Sequence, residues 1–575
     1  LGNYDNIFEK KIGKIYSSLK EYSSYLSFIL LILILTVIVY YRVMIQIEIG
    51  PIWDTCDFLS NALVFAGQGT GYADLTRPPL LSFLTSLFFR LGYVSPIVIF
   101  ALDGAIFLFG VIGFYLLLKI RFNDIESFLG TLLFVTFPVI LSFAGSGLTD
   151  VPSLSFSIWV IYFTVLAVKK NSKFFYLAFP FLMLAFLTRY AIAFTIFPLM
   201  LYVIINKRLV KDIKDILIGI FVSFLALVPV LLFFYSTFGS PLHSFAMFFS
   251  ATTTSSPISP ENFAYHPNFL YFILKSPVYI GSVGTTILLI ILLGIFIYMF
   301  MQMRKGKWAV KKSLKNIFKV KNNFTKIKLL LIVILSLIFV ATLGKINYMG
   351  SEVIFFILAY FSYWIFKNQD INYMDLNFLF LSWFMAFFIF HSVYVMKDDR
   401  YFLTMTPAVS YFLILGLSGV SNMLSLKIKN RNVTLYLFAI ILTVMMLVST
   451  IQYLPGIKET NSDFKNINEN MKAASQWLVN YDSNYANKTI YSDDWPYTGW
   501  YLRTYVGMMP IFKDNQKFYC GVKHCSFNSN DNKAFNSYLD SNNVDYYFCV
   551  RKGLNLTGYK PIKQFNNLVL YERVD

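Results

Sequence analysis

Two carboxylates open the chemistry of this chain. Asp54 and Asp57 stand in Trp53-Asp54-Thr55-Cys56-Asp57, and Arg77-Pro78-Pro79-Leu80 follows before the next apolar run. Further along come Thr149-Asp150-Val151-Pro152, Thr188-Arg189-Tyr190, the histidines His243 and His266, and Asp399-Arg400-Tyr401-Phe402. Carboxylates beside a membrane serve as a general base or as ligands of a divalent cation. The planar fork of arginine suits a phosphate, which it binds through two parallel hydrogen bonds. Asp54, Asp57 and Asp150 are the candidate carboxylates for either task. Arg77, Arg189, Arg400 and Tyr401 are the candidate phosphate-binding set. A divalent cation is a candidate cofactor, and Asp54, Asp150 and His243 are its candidate ligands. Plainer roles stand beside these. Asp57 reads first as a surface residue of an amphipathic helix, and Arg189 and Arg400 also suit anchoring at a membrane edge. His243 and His266 are too far apart to pair on one helix as metal ligands.

The elements that must position these residues are membrane helices. Of 575 residues, 57% are hydrophobic, 19% aromatic and only 14% charged. A water-soluble chain of this size would expose too much apolar surface, so its bulk must face lipid. The net charge of +18 does not point to nucleic acid, because the lysines lie in short clusters between apolar runs, as cytoplasmic loops do. With ~20 apolar residues per crossing, the expected spans are 25–47, 95–118, 127–147, 151–168, 174–188, 190–205, 216–235, 278–301, 329–343, 353–366, 376–394, 402–420 and 433–451. Every basic cluster then falls on one side. The loops carrying Asp54, Asp150, Arg189, His243 and Arg400 all fall on the other.

The expected fold is therefore an α-helical polytopic membrane protein with about thirteen transmembrane helices and a small C-terminal α/β extracytoplasmic domain. Its expected parts are a basic cytoplasmic segment, 1–24, a transmembrane region, 25–453, with an exterior loop at 48–94, and an exterior domain, 454–575. Within that loop, 57–67 has helical spacing but is too short to cross and is expected to lie in the membrane interface. In the last part, helices are expected at 471–480, 500–505 and 535–539, and strands at 489–492, 545–550 and 568–571. Cys520, Cys525 and Cys549 could pair if that region is outside the cell, with one thiol left over. Asn487-Lys488-Thr489 and Asn555-Leu556-Thr557 are glycosylation sequons.

An exterior Asp with an aromatic at Phe58, an interfacial helix, then a basic residue before Pro78-Pro79-Leu80 together resemble the membrane glycosyltransferases of the C-type fold. The nearer likeness is to the dolichyl-phosphate-mannose protein mannosyltransferase and lipid A aminoarabinose transferase group. Thr149-Asp150-Val151-Pro152, Leu187-Thr188-Arg189-Tyr190 and Asp399-Arg400-Tyr401-Phe402 followed by Pro407 fit the later landmarks of that group. The chain departs from it in having Thr76-Arg77 where Glu-Lys is commoner, and Thr55 where Glu usually follows the Asp.

The resemblance implies inverting transfer of a sugar from a polyprenyl (dolichyl or undecaprenyl) phosphate to a protein, lipid or glycan acceptor at the outer face of the cell membrane. Asp54 would deprotonate or orient the acceptor as the base, with Asp150 and Asp57 in support or holding a cation, and Arg77, Arg400 and Arg189 would stabilise the leaving phosphate. Membrane lipid is the other expected partner. The rival reading is a polytopic transporter or lipid flippase with an exterior binding domain. Transporters gather ionisable residues near mid-membrane in paired halves, whereas here the charges gather at one face.

Overall fold

Uninterrupted Leu, Ile, Val and Phe leave these segments no polar face, so each buries its backbone groups in its own helix. A computed structural model describes residues 2–69, 74–207, 212–253, 264–304, 323–367, 371–424, 427–428, 431–514, 516–518 and 526–574. Helices α1 (Gly2–Ile49), α2 (Trp53–Ala66), α3 (Leu80–Arg90), α4 (Pro96–Leu118), α5 (Asp124–Thr136), α6 (Pro138–Phe143) and α7 (Asp150–Lys169) build the first half. Then come α8 (Phe175–Thr188), α9 (Ile196–Ile205), α10 (Ile213–Phe238), α11 (His243–Thr253), α12 (Tyr271–Arg304), α13 (Asn323–Thr342), α14 (Tyr348–Phe366), α15 (Met374–Val393), α16 (Thr406–Met423) and α17 (Val433–Thr460).

Among the described residues, nine helices are long and apolar enough to cross a membrane, and the chain is a multi-pass membrane protein. The four other expected spans are built of shorter helices. Span 127–147 is broken where Pro138, lacking an N–H, begins α6. Spans 174–188, 190–205 and 329–343 correspond to the shorter apolar stretches Ser172–Thr188, Tyr190–Ile205 and Ile327–Thr342, the last a part of α13. The first helix is continuous through residues 2–49, so the polar stretch and the first span are one element.

The last part is an α/β unit, as its alternation of apolar strands and helices implies. Helix α17 runs through Pro455 to Thr460, past the expected boundary at 454, and α18 (Ser462–Tyr481) follows at once. Next come β1 (Ile490–Ser492), α19 (Trp495–Leu502), β2 (Gly507–Met508), β3 (Ile511–Lys513), β4 (Gln516–Phe518), α20 (Ser529–Ser541), β5 (Tyr546–Cys549), β6 (Tyr559–Phe565) and β7 (Leu568–Arg573). The main sheet has the order β2-β1-β5-β7-β6. Strand β1 runs parallel to β2 and β5, while β7 is antiparallel to β5 and β6. The expected helix at 500–505 instead begins at Trp495 and ends at Leu502, because Arg503 takes a left-handed conformation. Cys549 is a buried free thiol in β5, whereas Cys520 and Cys525 lie outside the described residues.

One apolar core joins this unit to the membrane region. Leu59 of α2, Phe89 of α3 and Phe100 of α4 share it with Leu478, Tyr497 and Trp500. The segment carrying α2 and α3 is thus sandwiched between the bundle and the α/β unit.

Candidate active site

Asp54 sits in the first turn of α2, where the helix dipole favours a carboxylate. The turn that delivers it is held from the α/β unit. Asn468 of α18 donates through Nδ2 to the Pro51 carbonyl at 2.7 Å, and Tyr501 of α19 donates to Asn468 Oδ1 at 2.8 Å. Gly50, at φ +86°, has no room for a side chain, since a Cβ there would come within 2.9 Å of Asn468.

Two arginines from distant loops converge on that carboxylate. Arg77 Nη2 lies 3.1 Å from Asp54 Oδ1, and Arg400 Nη1 lies 2.7 Å from Asp54 Oδ2. The Pro78-Pro79 bend at the head of α3 sets Arg77, which also reaches Asp57 at 2.5 Å and Asp74 at 3.3 Å. Arg400 lies in a tight helical turn, Asp399–Met405, and its Nε is 3.0 Å from Asp398. Lys397 places that turn: its ammonium donates to the carbonyls of His391, Ser392 and Tyr394 at the end of α15.

Behind these lies a second carboxylate–arginine pair. Asp150, at the start of α7 and almost fully buried, meets Arg189 at 2.6 Å, and Arg400 is 3.8 Å away. The Tyr401 ring lies beneath both guanidinium groups, 5.5 Å from Arg189 and 5.9 Å from Arg400. It therefore holds arginines in place by cation–π attraction. The loop before α7 is pinned twice, by Gly147 N–H donating to Asp103 Oδ2 at 2.9 Å and by Thr55 Oγ1 donating to the Ser146 carbonyl at 3.1 Å. Thr55 is thus a strut between α2 and the loop before α7.

Gly147 has φ +77°, and a Cβ there would come within 2.7 Å of Thr55. Gly147→Ala is therefore expected to cost about 1–3 kcal/mol of stability, read as a lower melting temperature of the purified protein. An unchanged melting temperature would contradict this account of the loop.

The ion pairs divide the two carboxylates of α2 into opposite proton affinities. Burial pushes Asp54 up, but Arg77 and Arg400 outweigh it and hold the carboxyl well below the usual range. Burial also pushes Asp57 up. Arg77 opposes it, Asp54 and Asp74 add to it, and the carboxyl ends at about 7. Asp57 is only 2% exposed. Its expected place on an open amphipathic face is overturned, because α3 and α19 cover both sides of α2.

Because the folded value of Asp57 lies above the unfolded one, the unfolded chain loses that proton first as pH rises. Stability attributable to Asp57 is present below about pH 4 and is lost between about pH 4 and pH 7. Asp57→Asn is expected to remove this decline. Melting curves of both proteins across that window check it, and parallel curves would contradict it.

Asp54 and Arg400 also form one wall of a cavity of about 670 Å³ that opens between the bundle and the α/β unit. The spacing of Asp74 and Asp398 near their arginines was the signal for these two further ion-pair partners. Their short side chains two or three residues from Arg77 and Arg400 can turn back on them. His243 does not join the set, since it stacks on Phe238 with ring centres 4.5 Å apart. Among the described residues, no three His, Cys, Asp or Glu side chains are placed to hold a metal ion, and Asp54 and Asp150 both face arginines. The expected metal set of Asp54, Asp150 and His243 is not brought together.

The profile of the dolichyl-phosphate-mannose-protein mannosyltransferase family matches residues 76–233, the stretch that carries Arg77, Asp150 and Arg189. Comparison with curated protein sequences finds no match. Among solved structures, the chain is similar to ArnT from Cupriavidus metallidurans bound to undecaprenyl phosphate. The TM-score is 0.54 at 11% identity, over 94% of this chain and 98% of that one. A weaker likeness, TM-score 0.49 at 11% identity, covers 90% of this chain and 69% of an Archaeoglobus fulgidus oligosaccharyltransferase tethered with an acceptor peptide containing the NVT sequon. The fold is that of the C-type membrane glycosyltransferases.

Proposed function

We propose that this membrane protein of C-type glycosyltransferase fold moves a sugar from a polyprenyl-phosphate donor to an acceptor at the outer face of the cell membrane, with inversion. The observation that carries this reading is the sharing of one carboxylate, Asp54, between Arg77 and Arg400, with Asp54 and Arg400 at the wall of a cavity. The likeness to a structure bound to undecaprenyl phosphate supports the donor class.

In the reaction, a hydroxyl or amine of the acceptor attacks the anomeric carbon from the face opposite the phosphate. Its oxygen or nitrogen forms the new bond while the carbon–oxygen bond to phosphate breaks, and that electron pair leaves on the phosphate. Arg77 and Arg400 stabilise the charge, with Arg189 and Asp150 holding Arg400 and Tyr401 in place behind them. As the phosphate takes up the arginines, Asp54 loses the partners that hold its proton affinity down. It then accepts the acceptor proton, or orients the attacking group for it. The protein's remaining task is positioning, because phosphate already leaves readily.

The test is sugar transfer in proteoliposomes from a radiolabelled panel of polyprenyl-phosphate monosaccharides. Transfer from at least one member, with inverted anomeric configuration in the product, supports the reading. Retained configuration would sink the single-displacement step. Movement of the lipid between leaflets without transfer would return the chain to the transporter or flippase reading.

A further inference from the structure

The cavity beside Asp54 is built from both parts of the chain. Its membrane wall includes Arg42, Asp54 and Arg400, and its other wall comes from the α/β unit with Asp493, Asp494 and Trp495. Arg77 and Asp57 are not among its lining residues. Asp54 therefore has one oxygen turned to Arg77, away from the cavity, and one turned to Arg400, which lines it.

Most charges on this lining neutralise one another. Asp398 pairs with Arg400, and Asp493 pairs with Arg551 at 3.0 Å. Asp493 is further held by Tyr547 Oη at 2.7 Å and the Val550 N–H at 2.8 Å. Two groups remain. Among the described residues the Asp494 carboxylate has no hydrogen-bond or ion-pair partner, while its backbone is fixed at the head of α19 by Ser492 and Thr498. Burial and neighbouring Asp493 push this carboxyl up to about 7, against the pull of Arg551.

The second group is Arg42 of α1, which is 2% exposed. Its Nε and one Nη donate to the carbonyls of Leu141 and Ser142 and to Gln46. Its Nη1 has no partner among the described residues. That N–H is closed off from the cavity, and the Asp103 carboxylate supplies the nearby negative charge, so Arg42 supports the wall from behind.

Aromatic faces complete the lining. Trp53 and Trp495 meet edge to face at 4.7 Å, and Phe143 and Phe464 also line the space. Flat rings beside carboxylate, guanidinium and amide groups are the surface a sugar needs, with C–H faces against rings and hydroxyls toward polar groups. The volume lies within the range of small-ligand sites.

Granted the transfer reaction proposed above, the geometry points to this cavity as the acceptor subsite, and to a saccharide as the acceptor. Asp494 accepts a hydrogen bond from a hydroxyl of the sugar beside the reacting one. The α/β unit thereby selects the acceptor, while the membrane loops hold the donor. Asp54 stands between the two.

The test uses the full-length protein in nanodiscs with undecaprenyl phosphate present. Saturation-transfer NMR follows a panel of neutral and N-acetylated disaccharides and a peptide bearing serine and threonine. Asp494→Asn is close to isosteric and strands no partner, so the variant is expected to fold. It is expected to weaken disaccharide binding roughly 10- to 100-fold, the loss for a hydrogen bond to a charged group, with undecaprenyl phosphate affinity unchanged.

Equal disaccharide binding by wild type and Asp494→Asn would overturn the subsite. Asp494-dependent binding of the peptide in place of sugars, or no sugar binding by a wild type that holds undecaprenyl phosphate, would overturn the saccharide. A wild type that binds no undecaprenyl phosphate would overturn the donor reading instead, and the Asp494 comparison would still decide for or against the cavity.

Discussion

Asp54→Asn is expected to lower turnover by about 10³-fold, within the range for loss of a positioned general base, while the protein holds polyprenyl phosphate as well as before or better. The second half of that expectation comes from the ion pairs. In the free protein the Asp54 carboxylate occupies both Arg77 and Arg400. A donor phosphate must compete with it for them. Asparagine removes the competing charge and leaves the guanidinium groups free for phosphate, so binding and turnover move apart. Single-turnover transfer and equilibrium binding of undecaprenyl phosphate, measured on one folded preparation, check the pair of effects. Transfer within tenfold of wild type would remove Asp54 from the chemistry. Loss of lipid binding would mean that the carboxylate organises the arginines and does not compete with the ligand.

Arg400→Gln is expected to be worse for binding. Arg400 touches Asp54 at 2.7 Å, Asp398 at 3.0 Å and, more distantly, Asp150 at 3.8 Å. Its loss leaves three carboxylates facing the same space with fewer cations among them. Truncating one partner of a buried charge pair typically costs about 2–5 kcal/mol, so polyprenyl phosphate affinity is expected to fall by roughly 10²-fold or more. The melting temperature is expected to fall as well. Lipid titration and thermal unfolding of the variant check this. Affinity unchanged within a factor of about three would leave Arg77 as the phosphate-binding arginine.

The fold was legible because membrane helices announce themselves by length and apolarity, and because basic clusters sort the loops by side. That logic put Asp54 and Arg400 on one face although 346 residues separate them. It could not say that they touch. Nor could it separate a full crossing from a broken one: residues 127–147 are apolar enough, yet Pro138 divides them. The reading of Asp57 as a surface residue failed for a physical reason. Helical spacing shows that a helix has a less apolar side, but not whether another part of the chain covers that side. Here α3 does so from nearby and α19 from the far end of the sequence. Asp494 was hidden in the same way. The α/β unit was legible as strands and helices from its alternation, but its share in the cavity depends on docking, which no local pattern encodes. His243 was singled out by residue type and side of the membrane alone, and the structure leaves it stacked on Phe238.

The grip of α18 on the turn before Asp54 has a bearing on how such a protein can be recombined. Asn468 holds the Pro51 carbonyl, Tyr501 holds Asn468, and Gly50 is left without space for a side chain. A chimera that grafts the terminal unit of another protein of this fold onto this bundle would bring a different tooth to a socket cut for Asn468. The loop that carries Asp54 would lose its register even though every residue of that loop was native. Gly50, Pro51, Asn468 and Tyr501 must therefore be inherited together. The seam along which this chain can be divided lies around that quartet, not at the change of composition near residue 454.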